Sequence, residues 1–330
     1  MSKKLTGDKV LEYLDKFPNT PSLTLAKVIY KENKELYRDV EHVRSIVRHY
    51  RGANGHKSRE SLLNRKHLKE FGSYNPFELP ESDEREFKPF IIQGHKKLLV
   101  LNDVHIPYHS IEALNIMIEF VIKQGIDGIL LNGDIIDFYH LSKFGKDPNL
   151  RDTKSELEKL SVFIDVLIDL FECPIYYKIG NHEERLEAFM KRKAPELFGI
   201  ESFSLPALID NDDITWINDK RTVIFGKLNI LHGHELKHGI IAPVNVARGV
   251  FLRTKVPTMV GHWHIKTSHG ENSLNEKYIE CWSVGCLCEL HPDYAPNNRW
   301  VHGFAIVDLL DDKGEFNVNN YKIIKGRVFE

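Results

Sequence analysis

Several features of secreted and membrane proteins are scarce in this chain of 330 residues. Four cysteines are too few for a disulfide framework, which favours a reducing, cytoplasmic compartment. The N-terminus, MSKKLTGDK, has no apolar core of the kind that a secretory signal needs. The most apolar helical run, SVFIDVLIDLF, is interrupted by Asp165 and Asp169, so no segment is predicted to span a membrane. The net charge is only −2, so any surface that binds polyanions must be local.

Residues 1–70 are predicted to form a small helical unit. Pro18 and Pro21 are expected to end its first helix, Ser22 or Thr24 to cap its second, and Asp39 to begin its third. The inner faces of the three helices are expected to consist of Val10, Leu11, Leu14 and Phe17, then Leu25, Val28 and Ile29, then Val40, Val43, Val47 and Tyr50.

Positive charge is concentrated at the end of this unit. Between residues 38 and 69, nine basic side chains stand against three acidic ones, a net charge of about +6 that favours phosphate backbones. The basic residues are Arg38, Arg44, Arg48, Arg51, Lys57, Arg59, Arg65, Lys66 and Lys69. Two short helices before an arginine-striped third resemble a helix-turn-helix module, which predicts DNA binding. A solvated helix face with a basic tail is the alternative.

Residues 71–97 are predicted to be a linker, because prolines and the charged run ESDERE interrupt them. From residue 98 to residue 330 the pattern predicts one larger α/β domain. Strands are predicted at LLVLND, GILLNGD and PIYYKIGN, with intervening helices capped by Ser110 and by a Thr153–Glu156 capping box. After residue 221, short strands joined by tight turns follow. This order predicts two packed sheets with helices outside.

Five short clusters of possible metal ligands end apolar strands of this domain. Side chains at the carboxyl ends of such strands enter the crevice where α/β folds place functional groups. Each cluster alone is compatible with a turn, a helix cap or a core histidine, but their joint occurrence predicts two cations about 3.5–4 Å apart. The clusters are Asp103-Val104-His105, GDIID at 133–137, GNHE at 180–183, HGHE at 232–235 and GHWH at 261–264.

These ordered motifs resemble those of the calcineurin-like metallophosphoesterase superfamily over residues 98–308. The resemblance implies an α/β fold, a four-layer αββα sandwich, with two divalent metal ions. Mn²⁺ is the expected metal, with Fe, Zn or Ni as alternatives. The implied ligands are Asp103, His105, Asp134 and His264 for one metal, and Asp134, Asn181, His232 and His262 for the other. His182 is implied as general acid or transition-state stabiliser, oriented by Asp137, with His234 nearby but uncommitted.

The implied reaction is hydrolysis of a phosphate ester by a hydroxide that bridges the two metals. Protein Ser/Thr phosphatases of this superfamily carry an arginine where Phe138 stands here, which argues against that branch. Because the sequence ends at Glu330, soon after the last predicted strand, we expect no capping domain of the kind that the superfamily's repair nucleases usually append, which argues against that branch. A basic helical unit before a GDIIDFYH-type domain resembles phage or prophage proteins.

We therefore predict a phosphoesterase, either a nuclease or phosphodiesterase or a phosphatase. Its substrate is expected to be a nucleic acid or nucleotide, and its basic N-terminal unit is expected to bind DNA. The location would be the host cytoplasm if the chain is phage-encoded. The alternatives are a DNA-binding protein whose phosphoesterase domain is a protein-interaction scaffold, and a phosphatase that acts on phosphoproteins.

Two further segments allow two interpretations each. Cys281, Cys286, Cys288 and His291 lack a paired C-x-x-C knuckle, so reduced cysteines are predicted rather than a structural zinc site. Residues 237–255, which carry Lys237, His238, Arg248 and Arg253, either line the substrate groove or form a surface helix.

Overall fold

The computed structural model describes residues 3–17, 20–51, 87–143, 152–218, 220–236 and 244–330. The chain divides into two compact units, Met1–Lys88 and Pro89–Glu330. Among the described residues, no helix combines the length and the apolar character that crossing a membrane requires.

The first unit contains the three predicted helices, α1 (Lys3–Lys16), α2 (Ser22–Glu32) and α3 (Val40–Tyr50). Their apolar faces share one core that includes Val10, Leu25, Ile29, Val43 and Val47. α3 begins next to Asp39, as predicted, and the Asp39 carboxylate caps it by accepting a hydrogen bond from the backbone N–H of His42 at 2.7 Å.

The predicted cap of α2 is wrong. Pro21 occupies the N-cap position and no side chain caps the helix. The Ser22 hydroxyl instead accepts a hydrogen bond from Arg51 at 3.0 Å, and Thr24 is buried in the first turn. The Pro21 carbonyl accepts the first helical hydrogen bond, from the Leu25 N–H at 2.9 Å, and proline is tolerated there because its missing N–H is not needed at a helix start.

The arginine stripe is largely engaged within this unit. Arg38 pairs with Asp39 at 2.7 Å, Arg44 with Glu41 at 3.3 Å, and Arg51 is tied to α2. These pairs reduce the positive charge that α3 offers to a phosphate backbone. The other basic residues of the prediction lie outside the described residues: Lys57, Arg59, Arg65, Lys66 and Lys69.

The second unit alternates strands and helices at first and consists mainly of strands later. Its helices are α4 (Ile111–Val121), α5 (Thr153–Phe171), α6 (Glu184–Lys193), α7 (Leu205–Ile209) and α8 (Val246–Thr254). Its strands are β1 (Phe90–Ile92), β2 (Lys97–Leu101), β3 (Gly128–Leu131), β4 (Ile175–Lys178), β5 (Ile214–Ile217), β6 (Val223–Phe225), β7 (Leu228–Leu231), β8 (Thr258–Val260), β9 (Thr267–Asn272), β10 (Tyr278–Ser283), β11 (His302–Leu309), β12 (Phe316–Ile324) and β13 (Arg327–Phe329).

The strands form two sheets, one of seven strands and one of six. The first has the order β13-β12-β11-β2-β3-β4-β5, and its strands β2 to β5 are parallel neighbours. The second has the order β1-β6-β7-β8-β10-β9, in which β7, β8 and β10 run parallel. Both sheets therefore present a row of parallel carboxyl ends, where loops can gather functional groups.

The two sheets pack face to face with helices outside, which confirms the predicted α/β sandwich. Successive side chains of a strand point to opposite faces. Accordingly, Leu98 and Val100 of β2 lie in the core between the sheets, while Leu99 and Leu101 pack beneath the helices. On the outer face of the second sheet, α8 buries Val246 and neighbouring apolar residues. The layers are thus helix, sheet, sheet and helix.

Three local expectations are corrected. Residues 87–97 of the predicted linker contain β1, which pairs with β6 because the alternating side chains of Phe90 and Ile92 are buried; residues 71–86 lie outside the described residues. The cap of α5 is Asp152 rather than Thr153, since its carboxylate accepts from the Ser155 N–H at 2.9 Å. The connection from β7 to β8 is no tight turn but contains α8.

The helix alternative thus applies to residues 246–254 of the segment 237–255. The predicted groove residues Lys237 and His238 lie outside the described residues. Arg248 and Arg253 lie on α8.

Candidate metal centre

The predicted ligand residues gather where five strands of the two sheets end. They are Asp103 and His105 after β2, Asp134 after β3, Asn181 after β4, His232 after β7, and His262 with His264 after β8. Hydrogen bonds join these loops across the sheets. The backbone N–H of His262 donates to Asp103 Oδ2 at 2.8 Å, and that of His182 donates to Asp134 Oδ1 at 2.8 Å.

One group of ligand atoms surrounds Asp103. Its Oδ1 lies 3.3 Å from His264 Nε2 and 3.9 Å from His105 Nε2. The Nε2 atoms of His105 and His264 lie 3.2 Å apart. Imidazole nitrogens that converge on one carboxylate oxygen are the arrangement expected of ligands around a cation.

The other group surrounds the second carboxylate oxygen of Asp134. His232 Nε2 lies 3.2 Å from Asp134 Oδ2, and His105 Nε2 lies 4.0 Å from the same atom. Ligand atoms of Asp134, His232 and His262 all lie within 4.8 Å of one another, and so do those of Asp103, His105 and Asp134. Asp134 therefore belongs to both groups.

The polar atoms left over at the centre fit metal ions. Asn181 Oδ1 is buried without a hydrogen-bond partner among the described residues. Asp103 Oδ1 and His232 Nε2 are also buried without a well-oriented hydrogen bond, although each faces an oppositely charged or polar ligand atom at 3.2–3.3 Å. The opposite atoms are engaged by the protein, since His232 Nδ1 contacts the carbonyl of Asn132 at 2.8 Å. A buried polar atom without a partner costs about 1–3 kcal/mol. Oxygen and neutral imidazole donors are suited to divalent first-row metals, which would satisfy these atoms.

The backbone at the ligands is strained. Asp103, His105, Asp134, His262 and His264 all have φ between 52° and 68°, the left-handed region that side chains rarely adopt. Such strain costs of order 1–3 kcal/mol per residue and concentrates at functional sites.

Two motif glycines let the chain approach the ligands closely. A Cβ at Gly180 would lie 2.4 Å from Asp134 Oδ1, and one at Gly261 would lie 2.8 Å from Asp103 Oδ2. Any side chain at these positions would push a carboxylate out of place.

The protonation states of the histidines at the centre affect how tightly it can bind a metal ion. Burial lowers the pKa of His232, but the Asp134 carboxylate outweighs it and raises the pKa to about 10. Burial also lowers the pKa of His264, but the Asp103 carboxylate outweighs burial and raises that pKa to about 10. Burial and the charge of His232 lower the pKa of His262 to about 4. Metal binding must displace the protons of His232 and His264, so metal affinity should fall as the pH falls.

Asp137 connects the metal ligands to His182. Its carboxylate lies 3.0 Å from His105 Nδ1 and 3.2 Å from His182 Nδ1. Burial opposes its ionisation, but these two histidines outweigh burial and hold the pKa of Asp137 well below its usual range. Burial alone would lower the pKa of His182. The Asp134 and Asp137 carboxylates outweigh burial, so the pKa of His182 is raised above its ordinary value.

Arg185 is a further site residue that the sequence analysis missed. Its guanidinium donates to the Asp137 carboxylate at 3.1 Å and to the Asp137 carbonyl at 2.9 Å. Its other terminal nitrogen lies 2.9 Å from His182 Nε2. An arginine nitrogen only donates, so His182 Nε2 accepts here and its Nδ1–H is donated to Asp137.

Glu183 holds two ligand loops together from behind. Its buried carboxylate accepts hydrogen bonds from the N–H groups of Asp134, Ile135 and Gly180 at 2.8–2.9 Å and from the Tyr177 hydroxyl at 2.9 Å. The loop that carries Asp134 is thereby fixed to the loop that carries Asn181.

Replacing Glu183 with glutamine is expected to weaken metal binding about 10–100-fold, the usual effect of losing a residue that orients ligands. The amide nitrogen would face backbone N–H donors instead of accepting from them. Titration calorimetry with Mn²⁺ measures the change. Glu187→Gln, on the helix α6 that follows Glu183, is the control, because Glu187 is exposed and pairs with Lys191. Equal affinity in wild type and Glu183→Gln would contradict this role.

A buried ion pair supports the HGHE loop. Lys178, fully buried on β4, lies 2.8 Å from Glu235. The Glu235 carboxylate accepts from the backbone N–H groups of Gly233 at 2.6 Å and His232 at 3.2 Å. His234 lies beside the centre, 3.3 Å from Glu184, and belongs to neither ligand group.

The cysteines of residues 281–288 lie next to the site. Cys281, Cys286 and Cys288 are buried free thiols, and Cys288 Sγ lies 3.7 Å from His264 Nδ1. Because His264 Nε2 faces Asp103, the thiol contacts the far side of the ring. His291 is exposed, with Nδ1 3.0 Å from the Pro296 carbonyl.

A cavity of about 740 Å³ opens beside the centre. His105, Asp137, His182 and Arg185 line one part of it. A substrate in this cavity would therefore contact His105, a proposed metal ligand, and the group of Asp137, His182 and Arg185 beside it.

Most residues missed by the sequence analysis support ligands rather than serve as ligands. Glu183 and Glu235 are the last residues of the GNHE and HGHE motifs, so their positions were visible although their roles were not. Arg185 and Lys178 had no motif signal.

Comparisons with known proteins agree with this geometry. The family profile described as calcineurin-like phosphoesterase matches residues 96–311. The Gene 54 protein of Mycobacterium phage L5 is 23% identical over 230 residues, 65% of this chain and 89% of that protein.

Similar solved structures include Vps29 from Entamoeba histolytica, with 15% identity, a TM-score of 0.37, and coverage of 71% of this chain and 96% of that chain. Vps29 from Cryptosporidium parvum has 13% identity, a TM-score of 0.38, and coverage of 71% and 95%.

Proposed function

The chain belongs to the calcineurin-like phosphoesterase family and is a metal-dependent phosphoric ester hydrolase, and we propose that it acts on a nucleic acid or nucleotide through two metal ions. The observation that carries the two-metal proposal is the pair of ligand groups that share Asp134 beside a substrate-sized cavity.

The proposed ligand sets follow the two groups, and Asn181 is added because its buried Oδ1 has no partner among the described residues. Asp103, His105, Asp134 and His264 would hold one metal, and Asp134, Asn181, His232 and His262 the other. When bound, the metals would supply Lewis acidity towards the phosphoryl oxygens and lower the pKa of water. Mn²⁺ is our proposal for the native metal, because the oxygen and imidazole donors suit it.

Arg185 would grip the phosphoryl group. Phe138 and Tyr139 follow Asp137 where related protein phosphatases carry their arginine, and Arg185 supplies a guanidinium to the same region from α6. Its anchoring on Asp137 fixes its position at the cavity. A guanidinium recognises phosphoryl oxygens through charge-assisted hydrogen bonds.

His182 would handle the proton of the leaving group. When phosphoryl oxygens take over the Arg185 hydrogen bond, His182 Nε2 is released to exchange a proton, with Nδ1 still held by Asp137. The nearby carboxylates of Asp134 and Asp137 favour the protonated ring. These are the requirements for a general acid.

We also propose a domain organisation and a cellular location for the chain. We assign residues 1–70 to a basic unit that delivers nucleic acid, 71–97 mainly to a linker, and 98–330, with β1 added, to the phosphoesterase domain. The phage relative supports a location in the cytoplasm of a bacterial host.

A panel of phosphoesters tests the proposed substrate class. The full chain, loaded with Mn²⁺, is expected to hydrolyse nucleotides or DNA with the highest kcat/KM, because its basic N-terminal unit and the Arg185 guanidinium in the cavity suit them. Phosphoserine peptides and simple sugar phosphates serve as comparisons. A preference for phosphopeptides would contradict the nucleic-acid proposal and leave the hydrolase intact.

A further inference from the structure

Four aromatic side chains form part of the wall of the cavity. They are Tyr108, Tyr139, Tyr294 and Trp300. Their concentration beside a phosphate-processing centre requires an explanation, because neither phosphate nor metal needs aromatic contacts. A cavity of about 740 Å³ has room for a ligand the size of a nucleotide.

The rings form two pairs with edge-to-face geometry. Tyr108 and Tyr139 have centroids 6.2 Å apart, and Tyr294 and Trp300 have centroids 6.3 Å apart. Trp300 also contacts the His264 ring, with centroids 4.1 Å apart. Only the Trp300 ring would thus lie between a flat group stacked on it and His264, a proposed metal ligand. One small molecule is long enough to reach both the stacking surface and the metal centre.

The segment that carries Tyr294 and Trp300 is fixed by its own hydrogen bonds. The Asn298 amide donates to the carbonyls of Leu290 and Ala295. The backbone N–H of Glu289 donates to the Tyr108 carbonyl at 2.8 Å, and that of Val301 to the His264 carbonyl at 3.0 Å. The aromatic wall is therefore organised before a ligand binds, which reduces the cost of binding.

The charges of the cavity select among phosphoesters. Of the described residues that line it, Arg185 alone is a lysine or arginine, whereas Glu289 and Asp293 are exposed carboxylates on the aromatic side. One guanidinium suits one phosphate, and a long polyanion would meet the two carboxylates. Carboxylates also accept hydrogen bonds from the amino groups of bases.

We infer that this cavity is a nucleobase subsite, in which the base of a single nucleotide stacks on Trp300 and Tyr294 while its phosphate lies at Arg185. The inference rests on the proposed function and deepens it, because it names a mononucleotide, or a nucleotide at the end of a chain, as the substrate. Stacking tolerates every base, so the subsite recognises the nucleotide class rather than a sequence.

Matched pairs of substrates with and without a base test the subsite. The full chain with Mn²⁺ is assayed on AMP against ribose 5-phosphate, and on thymidine 5′-(p-nitrophenyl phosphate) against methyl p-nitrophenyl phosphate. The member with a base is expected to have a kcat/KM about tenfold higher or more in whichever pair is hydrolysed.

Variants of the aromatic wall are expected to reduce that ratio towards one. Trp300→Leu keeps an apolar contact with His264, and Tyr294→Ala, at a side chain that is 75% exposed, avoids the risk of misfolding. Tyr278→Ala is the control, because Tyr278 is an exposed tyrosine that does not line the cavity. The control is expected to keep the wild-type ratio.

Failures of the two proposals have different signatures. A ratio near one in the wild type, a ratio unaffected by both variants, or a higher kcat/KM for a phosphotyrosine peptide would overturn the subsite while the hydrolase stands. If no phosphoester is hydrolysed, the proposed function fails, and calorimetric binding then decides the subsite. Binding of AMP at least tenfold tighter than ribose 5-phosphate would uphold it, and equal binding would overturn it.

Discussion

Replacing Asp134 with asparagine is expected to lower kcat about a thousandfold or more and to remove bound metal, because both proposed sites lose their shared charged ligand. The fold should persist. Asparagine has the same shape and tolerates the left-handed φ of 52° at this position. Its Oδ1 can still accept the hydrogen bond from the His182 N–H. Metal content and hydrolysis of bis-p-nitrophenyl phosphate are the measurements.

Asp210→Asn is the matched control. Asp210 is exposed, also has a left-handed φ, of 47°, and caps the end of α7 outside both ligand groups. It should retain metal and activity. Two metal ions bound with wild-type affinity in Asp134→Asn would contradict the shared-ligand assignment.

Replacing His182 with alanine is expected to lower kcat about 10²–10⁴-fold while metal content stays the same. The ring contacts Asp137 and Arg185 rather than completing either proposed ligand set. Loss of a general acid should be more severe for alkyl esters than for p-nitrophenyl esters, because an alkoxide needs protonation more than p-nitrophenolate does. Comparing kcat for both ester types with metal analysis measures this.

His269→Ala, at a histidine on β9 that pairs with Glu271, controls for loss of a histidine elsewhere. An equal loss for both ester types would assign His182 to charge stabilisation. Loss of metal together with activity would contradict its placement outside the ligand sets.

The sandwich could be predicted from sequence because local patterns encode it. Runs such as LLVL and GILL are buried on both faces, and the helices between them have clear apolar stripes. The short strand β1 was missed, because three residues behind Pro89 have too few positions to show alternation. The caps at Pro21 and Asp152 were missed because neighbouring Ser, Thr and Asp residues are all capable N-caps, and tertiary contacts decide among them.

In the candidate site, too, the features that could be predicted are those that a local sequence motif marks. The convergence of the ligand motifs could be anticipated, because each motif marks a strand end, whereas the shared role of Asp134 was implied by the resemblance to the calcineurin-like superfamily. The positions of Arg185 and Trp300 could not be anticipated, because their contacts with His182 and His264 join residues through the fold rather than through a sequence motif. Glu183 stood inside a motif, yet its hydrogen bonds to the Asp134 loop emerge only in three dimensions.

The central claim is that the chain holds two metal ions that its hydrolase activity requires. Chelator-treated full-length protein titrated with Mn²⁺, with bound metal and hydrolysis of bis-p-nitrophenyl phosphate and p-nitrophenyl phosphate recorded together, tests it most directly. The prediction is two ions per chain and activity that appears only as they bind. A single bound ion at saturation, or undiminished hydrolysis in the metal-free protein, would contradict it.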